Sequence, residues 1–187
     1  GSYTTNNLPL GYYLVESTVS AVCSLDTTNP SQTIKPKYTA PTLTKTVIDA
    51  INGPQDKTSA SIGQVLTYRA EITVGKGAKN YVFYDQLGKG LKYSGANENL
   101  QFSVGVETDQ KVKNEAGKDT YLNGYENNDF KLTLDEVNNK FTLEFYDSFI
   151  QKLEENKTIT LTYHAILTSN AEMDTAINNT AYLTYGT

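Results

Sequence analysis

The chain has 187 residues, the size of one large domain or of one domain with an additional segment. Its 16 Lys and Arg residues against 21 Asp and Glu residues give a net charge of -5, which argues against a nucleic-acid partner, because a phosphate backbone requires a basic face. One His, one Cys and no Trp leave little material for a metal centre or a catalytic triad. We therefore expect no metal, no cofactor and no enzymatic turnover, and no apolar run approaches the roughly 20 residues of a membrane span.

The first 38 residues differ in character from the remainder. They contain two short predicted strands, 12–16 and 19–25, followed by a polar run bounded by prolines. Such a segment is too small to bury a core of its own. We interpret residues 1–38 as the end of a preceding domain plus a linker, and residues 41–187 as one complete domain, so the chain is expected to be a piece of a longer protein.

Beyond residue 41 the dominant hydrophobic period is two, which is typical of β-strands. The clearest alternating runs are 65–74 and 157–167, and shorter runs lie at 102–106, 132–134, 141–146 and 181–185. A helix is predicted only at 147–155, with Asp147 as its N-cap. Many short strands joined by long loops predict an all-β, immunoglobulin-like antiparallel β-sandwich with one short helix.

Three polar residues fall on the apolar faces of predicted strands. Lys45 lies in the first strand of the main domain, Asp85 in an aromatic strand and Asn179 at the start of the last strand, each with apolar residues two positions away. An unpaired ammonium is costly to bury, so Lys45 requires either a partner or a route to solvent. The alternation therefore predicts that a lysine, an asparagine and an acid share one core.

A lysine, an asparagine and an acid in an apolar core have a specific reaction available. Burial lowers the pKa of an amine and raises the pKa of a carboxylic acid, so a neutral amine can act as nucleophile while a protonated acid polarises a carboxamide. Attack of the amine with loss of ammonia leaves a Lys–Asn isopeptide bond. The sequence thus predicts a single, self-catalysed reaction between Lys45 and Asn179, with Asp85 as the acid.

Two other acids compete with Asp85 for this role. Glu71 lies on the polar face of its strand. Asp147 falls on the apolar face of the run 141–146 if the alternation is extended, but it is better suited to cap the predicted helix. Asn178 has the opposite parity from Asn179 and is expected to face solvent. Asp85 is preferred, and Glu71 and Asp147 remain alternatives.

The segments that hold these residues resemble a known domain family. "YDQLGKGLKYSG" around Asp85, "LTYHAILTS", and "NNTAYLTYG" around Asn179 resemble the collagen-adhesin A-type domain of sortase-assembled major pilins of Gram-positive bacteria. Upstream, "LPLGYYLVES" resembles the late strand of a B-type pilin domain, in which Glu16 would be the acid that promotes that domain's own bond. The resemblance implies a structural shaft subunit of an extracellular, cell-wall-anchored pilus, with sortase and other pilin subunits as partners.

The same resemblance implies a second reactive lysine. Backbone pilins carry a Tyr-Pro-Lys motif whose lysine attacks the sortase acyl intermediate of the next subunit, and Lys37 follows Pro36 in the corresponding place. Lys35 stands where the motif has its aromatic residue and is the alternative. Two other functions stay open: a surface adhesin domain that binds host matrix, and a carbohydrate-binding accessory module, which abundant Tyr favours and the lack of Trp disfavours.

Overall fold

Antiparallel strands make up almost all of the regular structure. The computed structural model describes residues 5, 7–9, 11–15, 21–25, 39–77, 79–97, 99–172 and 175–186. The elements in chain order are β1 Gly11–Val15, β2 Ala21–Leu25, β3 Thr42–Asp49, β4 Gly53–Gln55, β5 Val65–Thr73, β6 Lys79–Leu87, β7 Leu91–Ser94, β8 Gly105–Thr108, β9 Lys111–Lys113, β10 Asp119–Tyr121, β11 Phe130–Asp135, β12 Lys140–Phe145, α1 Asp147–Ile150, β13 Thr158–Leu167 and β14 Asn179–Gly186.

Two antiparallel sheets form the sandwich. The larger sheet has the order β4-β3-β5-β13-β7, with β8 also paired to β13, and the smaller has the order β11-β12-β6-β14. Strands β9 and β10 form a separate hairpin, as do β1 and β2. The first and last strands of the region after residue 41, β3 and β14, thus belong to different sheets. The predicted immunoglobulin-like, all-β sandwich is confirmed.

The core lies between the sheets and follows the alternation that the sequence predicts. In β5 and β13 every second side chain is buried, and the intervening Thr, Arg, Glu and His side chains lie on the outer face of the sheet. In β6 the inward residues are Tyr81, Phe83, Asp85 and Leu87, all at most 4% exposed. One acidic residue is therefore buried within an otherwise apolar and aromatic row.

Two predicted elements differ from the observed ones. The helix ends at Ile150, and its N-cap residue is Tyr146, which makes no side-chain capping bond. Asp147 is instead the first helical residue, and its carboxylate accepts a hydrogen bond from the Asn80 backbone N–H at 2.9 Å, so the predicted capping role is wrong. The strand predicted at 102–106 begins only at Gly105, and Phe102, which precedes it, packs against Tyr93 at a ring distance of 4.9 Å.

The N-terminal hairpin agrees with the two strands predicted there. Strands β1 and β2 pair from Gly11–Leu25 to Val15–Ala21. The division of the chain at residues 38 and 41 stays a prediction. Within the described ranges, no helix has the length and apolarity that a bilayer span requires. The same ranges hold no cluster of three or more His, Cys, Asp or Glu side chains arranged to bind a metal ion.

Candidate functional site

Asp85 is the centre of a polar cluster inside the sandwich. It lies in β6, the strand paired on one side with β12 and on the other with β14, where its register partners are Phe141 and Ala181. Its side chain has no solvent exposure. A buried carboxylate is costly unless hydrogen-bond donors surround it, so the identity of its partners decides what this site can do.

Lys45 reaches Asp85 from the opposite sheet. The inward parity of β3 directs the Lys45 side chain into the sandwich, and its Nζ lies 2.7 Å from Asp85 Oδ2. The Lys45 side chain is 14% exposed, and its Nζ lies 5.6 Å from the ring centroid of Tyr68. Burial lowers the pKa of the Lys45 amine, and this effect outweighs the opposing influence of the nearby Asp85 carboxylate.

Two tyrosine hydroxyls supply the other donors to Asp85. Tyr93 donates to Oδ1 at 2.7 Å, and Tyr163 donates to Oδ2 at 2.5 Å. Burial, followed by the proximity of the Asp85 charge, raises the pKa of both phenols well above the ordinary value. A phenol is already protonated at neutral pH, so the raised pKa extends the range in which both hydroxyls can donate into alkaline pH.

Asn179 joins the same cluster through Tyr163. Its Nδ2 donates to the Tyr163 hydroxyl oxygen at 3.4 Å. Its Oδ1 is buried and has no hydrogen-bond partner among the residues that the structure describes. A buried amide oxygen without a donor carries the full cost of desolvation, and such unpaired oxygens are uncommon in the cores of folded proteins. The carboxamide is thus held beside the acid while its carbonyl remains free to accept a bond.

A close approach of two chain segments fixes the start of β14. The Gly88 backbone N–H donates to the carbonyl oxygen of Asn178 at 2.7 Å. A Cβ atom at position 88 would lie 2.7 Å from that same oxygen, so any larger residue would push Asn178 away. Asn178 itself is exposed, as predicted, and Asn179 then turns inward. Glycine at position 88 therefore helps to place the Asn179 carboxamide.

Aromatic rings close around the polar cluster. The Tyr163 ring stacks on Tyr68 with a centroid distance of 5.6 Å and meets the edge of Phe141 at 5.1 Å. Phe83 lies 6.4 Å from Tyr163. These rings bury the polar groups in apolar surroundings of low dielectric constant, which strengthens the electrostatic interactions among Lys45, Asp85 and the phenols.

The structure brings together the three residues that the alternation selected. Lys45 contacts Asp85 directly, and Asn179 is linked to Asp85 through Tyr163. Sequence reasoning missed the hydrogen-bonding role of Tyr93 and Tyr163. The available signal was their inward parity, because a buried tyrosine hydroxyl requires a polar partner.

The alternative acids lie elsewhere. Glu71 is exposed on the outer face of β5, opposite Thr44 and Thr160 of the neighbouring strands. The Asp147 carboxylate, at the start of α1, accepts a hydrogen bond from the backbone N–H of Asn80. Their positions favour Asp85 for the acid. Glu16, Lys35 and Lys37 lie outside the described residues, so their predicted roles stay predictions.

Several solved structures share this fold. The pilus backbone protein RrgB from Streptococcus pneumoniae aligns with a TM-score of 0.52 and 20% identity over 79% of this chain and 53% of that one. BcpA, the major pilin subunit of Bacillus cereus, aligns with a TM-score of 0.60 and 17% identity over 96% of this chain and 47% of that one. The N-terminal domain of the Streptococcus gordonii adhesin Sgo0707 aligns with a TM-score of 0.52 and 17% identity over 78% of this chain and 29% of that one.

At these identities the similarity concerns the fold. The chain spans 53% of the length of the RrgB structure and 47% of that of BcpA. No protein-family model and no curated protein sequence matches the chain.

Proposed function

We propose that the chain is part of a structural shaft subunit of a pilus, and that an amide bond between the Lys45 and Asn179 side chains closes its main domain. The observation that carries the proposal is the cluster in which a desolvated lysine contacts a buried acid, which a tyrosine links to an asparagine carboxamide. The likeness of the fold to two pilus backbone proteins adds support.

The reaction begins with a proton transfer from the amine to the acid that it contacts. The Lys45 ammonium passes a proton to Asp85 Oδ2, 2.7 Å away, and the resulting neutral amine attacks Asn179 Cγ. A bond forms between Nζ and Cγ, the bond between Cγ and Nδ2 breaks, and ammonia leaves. Proximity in a largely desolvated site supplies most of the rate, and the reaction occurs once in each molecule. This reaction therefore has no turnover and needs no cofactor.

The placement of the bond suits a load-bearing module. Lys45 lies in β3 and Asn179 in β14, so the bond would link the first and last strands of the main domain across the two sheets. A pulling force applied at the two ends would then pass through this covalent link. Hydrogen bonds between the intervening strands would carry little of the load.

The assembly around this subunit follows from the same proposal. A pilus shaft is extracellular and anchored to the cell wall, and its partners are further copies of the subunit and the sortase that joins them. Lys37, or alternatively Lys35, would supply the amine for the link to the next subunit. Glu16 would be the acid of a preceding domain.

Intact-mass spectrometry tests the bond. The folded chain should weigh less than its sequence mass by one ammonia, and fragmentation after proteolysis should yield a branched peptide that joins Lys45 to Asn179. Asn179→Ala should restore the mass expected for its own sequence. Asn178→Ala is the matched control, because Asn178 is adjacent but exposed, and this variant should still lose ammonia. A parent protein with its full sequence mass would refute the proposal.

One surface feature favours a second function, adhesion to host matrix or to a carbohydrate. Tyr84 and Tyr182 stack on the outer face of the smaller sheet, with ring centroids 4.5 Å apart and an interplanar angle of 8°. Tyr182 is 56% exposed. Stacked, accessible tyrosines are suited to contact a sugar ring or a protein surface. Binding to matrix proteins or to a glycan array that disappears in Tyr182→Ser would support this function, and it is compatible with the isopeptide bond.

A further inference from the structure

The Tyr163 hydroxyl forms hydrogen bonds with both Asp85 and the side-chain nitrogen of Asn179. We propose that Tyr163 is a catalytic residue of the isopeptide reaction, and that its hydroxyl carries a proton from Asp85 to the departing nitrogen of Asn179. The inference rests on the proposed function, because it assigns a step within that reaction.

The geometry defines a chain of three groups. Tyr163 donates to Asp85 Oδ2 at 2.5 Å and accepts from Asn179 Nδ2 at 3.4 Å. The ring is fully buried between the sheets and is held by Tyr68 and Phe141. A rigid hydroxyl at the centre of such a chain can take a proton from one neighbour while it gives its own to the other.

The hydrogen bonds also determine which end of the carboxamide faces Tyr163. A phenol has a single hydrogen, and that of Tyr163 is already donated to Asp85, so the oxygen can only accept a further bond. Only the amide nitrogen of Asn179 can donate to it. The leaving nitrogen therefore points toward the proton source, and the buried Oδ1, which has no partner in the described part of the chain, points away from it.

The proton count requires such a donor. After the Lys45 amine attacks Asn179 Cγ, Nδ2 carries two hydrogens and needs a third to leave as ammonia. Once Asp85 carries the proton from the first step, it becomes the donor to the Tyr163 oxygen, and the phenol hydrogen turns toward Nδ2, which has a free lone pair after the attack. Asp85 then gives its proton to the Tyr163 oxygen as the phenol hydrogen passes to Nδ2. The surplus proton on the new amide nitrogen then returns to Asp85. In sum, an ammonium and a carboxamide become a secondary amide, ammonia and one proton.

Tyr93 provides an internal comparison. Its hydroxyl donates to the same carboxylate, but to Oδ1, whereas the hydrogen bond from Asn179 goes to Tyr163. Loss of the Tyr93 hydroxyl changes the environment of Asp85 without interrupting the chain to Nδ2. We therefore assign Tyr93 as a positioning residue that orients the acid.

The test is the rate of ammonia loss from newly made protein. The full chain is produced by brief cell-free translation, translation is stopped, and intact mass is recorded at increasing times. Tyr163→Phe should slow the reaction about 100-fold, the ordinary size of a general acid–base contribution. Tyr93→Phe should slow it less. Tyr81→Phe, which removes a buried hydroxyl that accepts a hydrogen bond from Gly75 outside the site, should react like the parent.

The outcomes separate the two proposals. If the parent loses ammonia and Tyr163→Phe loses it equally fast, or no more slowly than Tyr93→Phe, the relay is refuted and the bond stands. If the parent loses none, both proposals fail.

Circular dichroism establishes whether Tyr163→Phe is folded. If it is not, a fluorinated tyrosine at position 163 keeps the shape and hydroxyl but makes the phenol more acidic; a changed rate supports the relay and an unchanged rate overturns it.

Discussion

Lys45 and Asp85 come from opposite sheets of the sandwich, and their side chains meet with 2.7 Å between Nζ and Oδ2. Such a pair is a poor means of stabilising a core, because the cost of removing two charges from water can exceed their mutual attraction. Apolar side chains of similar volume would serve stability as well. The pair is better explained by chemistry that requires an amine and an acid in a desolvated site.

The first prediction concerns the acid. Asp85→Asn keeps the size of the side chain but cannot take a proton from Lys45, so ammonia loss should slow by at least about 100-fold. Intact mass after overnight incubation should show the unreacted form. Glu71→Gln and Asp147→Asn are the matched controls and should react like the parent. If Asp85→Asn reacts completely and one of the two controls fails to react, the role belongs to the acid replaced in that control.

The second prediction concerns stability. A covalent link between residues 45 and 179 restricts the unfolded chain as a disulfide does, which is worth about 4–5 kcal/mol for so long a loop, less any strain in the folded state. Asn179→Ala should therefore lower Tm by about 8–20 °C. This variant isolates the covalent contribution, because apart from the bond the substitution removes only one long hydrogen bond and a carbonyl oxygen that has no partner among the described residues.

Lys45→Ala provides the comparison for that experiment. It removes the same link and also leaves Asp85 without its ammonium partner, so it should unfold at a lower temperature than Asn179→Ala. Asn178→Ala should melt like the parent. Equal Tm values for the parent and Asn179→Ala would contradict the claim that the bond stabilises the domain.

Much of the site follows from the two-residue period of the strands. Alternation alone selects Lys45, Asp85 and Asn179 as inward-facing, and the structure places Lys45 against Asp85 and connects Asn179 to them. It succeeds here because a strand places every second side chain on the same face. Whether the bond forms remains a prediction.

Other features of the site do not follow from a local pattern. Tyr93 and Tyr163 are inward by parity, but their pairing with one carboxylate depends on the positions of β7 and β13 relative to β6, which lies in the other sheet. Asp147 looked like a helix cap because acids are common there, whereas its contact with Asn80 depends on a strand more than sixty positions away in sequence. Long-range arrangement of this kind is not encoded in any short window.

The third prediction concerns alkaline pH. The pKa of Tyr68 is raised to about 12 by burial and by the nearby Asp85 charge, and the pKa values of Tyr93 and Tyr163 are raised for the same reasons. The folded state therefore holds protons that the unfolded state has lost above pH 10, and the free energy of unfolding should fall as pH rises from 10 to 12. Thermal melts across this range, with tyrosinate absorbance, measure the effect.

Titration of Lys45 should change the free energy of unfolding in the opposite direction, but only in variants in which Lys45 remains a free amine. Its folded-state pKa is lowered, so the unfolded state binds more protons below the ordinary value of 10.5, and stability should rise with pH toward that value. In Asn179→Ala this rise should precede the alkaline fall. In the cross-linked parent the Lys45 nitrogen is an amide and does not titrate. A parent profile that shows the same rise as Asn179→Ala would contradict the presence of the bond.

The last prediction concerns assembly. If the chain belongs to a pilus shaft, sortase must join subunits through an amine that precedes the main domain, and the proposal assigns it to Lys37. Lys37→Arg keeps the charge but lacks the nucleophilic amine, so the full-length subunit should no longer form covalent polymers with its sortase. Gel electrophoresis in denaturant would then show a single band in place of a ladder, and intact mass should still show the loss of one ammonia at Lys45.

Lys35→Arg is the matched variant for that experiment, since it changes the alternative lysine two positions earlier and should leave the ladder intact. A ladder that persists in Lys37→Arg and disappears in Lys35→Arg would transfer the role to Lys35. If the unaltered full-length subunit forms no ladder but binds host matrix through the surface that contains Tyr182, adhesion becomes the better account of the protein. The isopeptide bond would then strengthen an adhesin domain, because its chemistry depends on the buried cluster of Lys45, Asp85, Tyr163 and Asn179 and not on the assembly of subunits.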